Sequence, residues 1–97
     1  MSHYVAVVEE GRPNKAVGVW FPDLPGCFSA GDTLDEAMLN APEAIALYAE
    51  ALGRDGRVLP APRSFSELKK DRAIAEDLRG NLVAIIPAPA AIASAAE

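Results

Sequence analysis

Over residues 3–10, Val5 and Val7 fall on one side of an alternating pattern while Tyr4, Ala6 and Val8 fall on the other, which predicts a first strand with apolar positions on both faces. Gly11-Arg12-Pro13-Asn14 supplies turn formers and predicts a hairpin loop. Residues 15–21 are rich in β-branched and aromatic side chains, with Val17, Val19 and Phe21 opposite Ala16, Gly18 and Trp20, and predict strand two. Pro22 and Pro25 each lack a ladder donor, so Pro22 to Gly26 must be a loop; a short third strand follows over 27–30.

The period then changes. Thr33-Leu34-Asp35-Glu36 has the form of a capping box, and apolar residues at 34, 38, 41, 45, 48 and 52 step by three or four, which predicts a helix to about Leu52 capped by Gly53. Pro42 interrupts that stripe, deletes the bond to the Met38 carbonyl and costs about 3 kcal/mol in a regular helix, so a break near Asn40-Ala41 is expected, with two helical segments on one sheet face. Gly56, Pro60 and Pro62 mark residues 54–63 as an extended connector. Ser64-Phe65-Ser66-Glu67 forms a second capping box opening a helix over 64–79, with apolar positions Leu68, Ile74 and Leu78, that Gly80-Asn81 ends. Leu82 to Ile86 is a continuous apolar run and predicts a fourth strand buried on both faces. The order β-β-β-α-(α)-β describes an α+β domain, a helix across one face of a small antiparallel-type sheet, over residues 1–87. The Ala- and Pro-rich tail over 88–97 reads as helical or disordered.

Composition narrows the class. Over 97 residues, 51% are hydrophobic and 24% charged, the balance of a chain that packs a core. No apolar run reaches a membrane span, because Pro87 and Pro89 cut the longest one. The first ten residues lack the basic start of a secretory signal, so the cytoplasm is the expected compartment. One cysteine, Cys27, and one histidine, His3, can form neither a disulfide scaffold nor a zinc site, and no cofactor is expected. Charge is uneven: residues 1–53 carry two basic and eight acidic side chains, −6, and residues 54–97 carry seven basic and six acidic, +1. An acidic N-terminal half repels nucleic acid and suits a basic protein partner.

The run Phe21-Pro22-Asp23-Leu24-Pro25-Gly26-Cys27-Phe28-Ser29-Ala30-Gly31-Asp32-Thr33-Leu34-Asp35-Glu36-Ala37, followed by Asn40-Ala41, Glu43-Ala44 and the connector glycine and prolines at 56, 60 and 62, resembles the HicB antitoxin family over roughly residues 3–87. The resemblance implies a partial RNase H-like fold. It implies a partner, HicA, a small basic mRNA-cleaving toxin whose active-site face the antitoxin covers. Many members also carry a C-terminal DNA-binding module; only ten residues follow Pro87, none of them basic, so DNA binding by this chain is not expected.

The candidate toxin-binding residues are Phe21, Pro22, Asp23, Leu24, Pro25 and Gly26, a proline-stiffened loop that loses little entropy on binding. Gly31, Asp32, Thr33 and Glu36 form a structural motif: Gly26 and Gly31 serve conformations that a Cβ forbids, and the acids sit at a helix N-terminus. Two other functions compete. One is an orphan regulatory or scaffold module without a toxin. The other is a metal-dependent nuclease, which needs carboxylates converging on two metals, and Tyr4 to Val8 offers none. No catalytic or metal-binding residue is assigned. Trp20 is expected in the core or a subunit interface, Tyr48 on a packed helix face, and Cys27 as a small buried hydrophobe. A four-stranded sheet has two edges to cover, so a homo-oligomer, dimer or tetramer, is expected.

Overall fold

The computed structural model describes residues 2–11 and 15–89. The elements are β1 (His3–Glu9), β2 (Val17–Trp20), β3 (Phe28–Gly31), α1 (Leu34–Arg54), α2 (Phe65–Leu68), α3 (Arg72–Gly80) and β4 (Leu82–Pro87). The strands form one sheet in the order β3-β2-β1-β4, and every neighbouring pair is antiparallel. The expected tail conformation over 88–97 lies outside the described residues from Ala90 onward. Ala88 itself is buried, and its amide donates to the Ser2 carbonyl at 2.8 Å, one step beyond the β1–β4 ladder.

The alternation along β1 sorts its side chains between two cores. Tyr4, Ala6 and Val8 join Val17, Val19 and Phe21 beneath α1, against Ala37, Ala41 and Ile45. Val5 and Val7 pack on the opposite face with Leu68 and Leu78. The helices therefore cover both faces rather than the single face expected: the 54–63 connector lets the chain cross over, and α2 and α3 close the second side. β1 has strand neighbours on both sides and a helical layer on each face, which makes it the doubly buried strand. β4 is instead an edge strand, with Ile85 53% exposed. The expectation of burial on both faces fails there because an apolar run does not say whether a strand has one neighbour or two.

Three helical details also differ. α1 continues through Pro42 without the expected break. Ala37 and Ala41 before the proline and Ile45 and Leu52 after it are buried, Ala37, Ala41 and Ile45 in the same core, and this packing holds both halves despite one missing bond. The helix also passes Gly53; its cap is Asp55, with Gly56 next in the left-handed region. The expected second helix is two, because Asp71 starts a new one: its carboxylate accepts from the Ala73 amide at 3.0 Å.

At the start of α1, the Thr33 hydroxyl accepts from the Glu36 amide at 3.1 Å, one half of the expected capping box. The Ser64 box is complete, with Ser64 Oγ accepting from the Glu67 amide and Glu67 accepting from the Ser64 amide. Gly31 is required by contact: a Cβ there would lie 2.5 Å from the Ala37 amide nitrogen, so any side chain would lift the first turn of α1 off β3.

Candidate partner-binding surface

The loop between β2 and β3 is two consecutive turns, with the Leu24 amide bonded to the Phe21 carbonyl and the Cys27 amide to the Leu24 carbonyl, both at 3.0 Å. Phe21 and Leu24 are buried and anchor the loop from within. Asp23 also turns inward, its side chain only 8% exposed. Its carboxylate accepts from the Arg63 backbone amide and from Arg63 Nε, each at 2.7 Å. Arg63 Nη1 donates onward to Asp71 Oδ2 at 3.1 Å. One guanidinium thus joins the loop, the connector and the cap of α3, and both hydrogen bonds raise its pKa. The same bond from Arg63, followed by that from the Ala73 amide, holds the Asp71 carboxyl below its ordinary range.

What remains exposed of the six candidate residues is Pro25 and Gly26, with Pro22 half-buried. Gly26 has φ +86°, a conformation that side chains disfavour. The Pro25 carbonyl accepts from Tyr48 Oη at 2.8 Å, which fixes the loop crest to α1. Tyr4 Oη likewise donates to the Pro60 carbonyl at 2.6 Å, and burial, with the nearby Asp23 charge, pushes its pKa up. Of the structural motif, Gly31 ends β3, Asp32 is exposed, Thr33 caps α1 and Glu36 lies in its first turn.

Cys27 is buried, donates to the Ala44 carbonyl at 3.5 Å, and burial pushes its thiol up to about 11, so it stays protonated near neutral pH. Trp20 is half-buried beside the second core, and its Nε1 donates to Glu9 Oε2 at 2.8 Å. Among the described residues no three His, Cys, Asp or Glu side chains converge as metal ligands, and no helix is long and apolar enough to cross a membrane.

Beside the loop, α1 and β3 flank an open groove of about 440 Å³ lined by Phe28, Asn40, Glu43, Ala44 and Leu47. Phe28 is 69% and Leu47 59% exposed. Sequence reasoning assigned none of these residues to the binding surface, nor Arg63 and Asp71. Leu39 and Leu47 fall outside the buried stripe of α1, a signal for exposed apolar surface; the Asp23–Arg63 pair spans 40 residues and leaves no local signature.

The family model of HicB-like antitoxins of bacterial toxin–antitoxin systems matches residues 4–94. The chain belongs to the HicB-like antitoxin family. The crystal structure of the Burkholderia pseudomallei antitoxin HicB aligns with a TM-score of 0.73 and 27% identity, over 95% of this chain and 67% of that one. A chain of the HicA3 and HicB3 toxin–antitoxin complex aligns with a TM-score of 0.68 and 28% identity, over 90% of this chain and 98% of that one. An uncharacterized 14.9 kDa protein from the rep-hol intergenic region of Haemophilus phage HP1 is 51% identical over 57 residues, 59% of this chain and 41% of its own length. This HicB-like chain spans 41–56% of the length of the curated relatives it matches.

Proposed function

We propose that this HicB-like domain, residues 1–87, is an antitoxin that binds and masks a small basic HicA-class mRNA-cleaving toxin. The observation that carries this reading is the family match over residues 4–94, strengthened by the likeness to a chain of the HicA3–HicB3 complex. The charge of the first 53 residues, −6, supports it, because an acidic surface steers a basic partner and raises its association rate. The domain acts by occlusion and not as an enzyme, in the cytoplasm, as a dimer or tetramer, without binding DNA through these residues. Its partial RNase H-like character belongs to the same proposal. Pro22, Pro25 and Gly26 form the contact crest of the loop, while Phe21, Asp23 and Leu24 hold its shape from inside.

Co-purification of this chain with the product of the adjacent small gene, followed by RNA cleavage with and without it, tests the function. A stoichiometric complex that silences cleavage is expected. No complex, with cleavage unaffected, would overturn masking and favour an orphan regulatory module.

A further inference from the structure

Among the described residues no strand pairs with the outer side of β3, an edge of the sheet whose outward peptide groups lack a ladder partner. Asn40 Nδ2 donates to the Ala30 carbonyl at 3.0 Å, so that carbonyl turns away from β2. Peptide groups alternate in direction along an antiparallel strand, so the amide and carbonyl of Phe28 also point outward. Asn40 covers one acceptor of the edge, and among the described residues nothing covers the Phe28 pair.

The helix beside this edge carries a matching stripe. Glu36, Asn40, Glu43, Leu47 and Glu50 follow one another at steps of four and three along α1, which places them on one face. Asn40, Glu43 and Leu47 border the groove. Glu50 pairs with Arg54, whereas among the described residues Glu43 makes no ion pair. Phe28 pairs across the ladder with Trp20, so it lies on the sheet face opposite α1. A chain lying along β3 therefore meets an acidic and apolar wall on one side and an exposed aromatic ring on the other.

We propose that an extended, basic segment of the partner protein adds to β3 as a fifth strand, with Lys or Arg side chains reaching Glu43 and Glu36 and apolar ones covering Leu47 and Phe28. This rests on the masking function above and assigns it an edge and a binding mode. A second copy of the chain suits the edge less well. Two-fold pairing of β3 with itself would bring the Glu36–Glu43 stripe of one protomer towards that of the other, within halves that each carry −6.

Calorimetric titration of the full chain with the product of the adjacent small gene tests this, using wild type, Glu43→Lys, Phe28→Pro and the control Glu76→Lys. Glu43 and Glu76 are both exposed, on α1 and α3, so the two reversals change net charge equally. Phe28→Pro removes an outward amide and no ladder bond. Both groove variants should bind at least about tenfold more weakly, with the Glu43→Lys effect shrinking as salt rises, while Glu76→Lys stays within about twofold of wild type. Wild-type binding unaltered by either groove variant overturns the edge assignment and leaves masking intact; no wild-type binding overturns both. If Phe28→Pro loses its native circular dichroism, Glu43→Lys against Glu76→Lys decides. A wild-type dimer that Phe28→Pro renders monomeric, with partner affinity unchanged, gives the edge to a second copy and overturns the proposal.

Discussion

Among the described residues, thirteen buried side chains from three strands, the β2–β3 loop, the helix and Ala88 form one continuous core beneath α1; beneath α2 and α3 there are four, Val5, Val7, Leu68 and Leu78. The larger face is closed by a single helix of 21 residues whose buried positions do most of the holding. The smaller face is closed by helices of four and nine residues, too short to be stable alone, and directional bonds pin the start of each: a complete capping box at Ser64, the Asp71 cap and the Arg63 bridge. Both faces carry directional bonds, but only the α1 face backs them with a large apolar core, so the α2/α3 face depends on them more.

That contrast can be broken from either side. Ile45→Ala should cost about 2–5 kcal/mol by opening a cavity under α1 and lower the stability of the whole domain in denaturant melts. In native-state hydrogen exchange, amides of β1 and α1 should exchange through global unfolding, and those of α2 and α3 through a lower-energy local opening. Asp23→Ala should cost about 1–3 kcal/mol, because it leaves the Arg63 amide without its acceptor. The double variant Asp23→Ala/Arg63→Ala should be less destabilised than the two single losses added together, a non-additivity that a double-mutant cycle in urea reads directly. Ser64→Ala should cost about 1 kcal/mol and speed exchange in α2 while leaving α1 unchanged.

The smallest effect is one of pH. Glu67 is held below its ordinary 4.5 by hydrogen bonds from Ser64, and Asp71 below 3.8 by those from Arg63 and Ala73. Carboxyls lowered by folding stabilise fully above their unfolded pKa and lose that contribution as pH falls through the folded one. Thermal melts should therefore show a decline beginning below about pH 4.5, and Asp71→Asn should flatten its lower part.

Local chemistry was the legible part of this chain. The alternation of Tyr4, Ala6 and Val8 against Val5 and Val7 divides β1 between two faces, and Ser64 with Glu67 announces a helix start that the fold contains. Both signals lie within a few residues and act through nearest neighbours. The side of the sheet on which α2 and α3 settle depends on how a ten-residue connector crosses it, and the edge position of β4 depends on what no other strand pairs with. Pro42 reads as a breaker because propensity counts the lost bond and not the packing of Ala41 and Ile45 that overrides it. Asp23 reads as a contact residue of a stiff loop, since nothing near it in the chain reveals Arg63 as its partner.

The bond from the Ala88 amide to the Ser2 carbonyl brings both ends of the described domain to one corner of the β1–β4 side. Three strand spacings, about 14 Å, separate the β4 edge from β3. The fold is therefore suited to circular permutation: joining residues 2 and 88 by a short linker and opening the exposed connector between Arg57 and Val58 leaves the sheet, α1 and its groove in one piece. Tags, reporters or further modules attached at this corner would hang from the side of the sheet away from the groove.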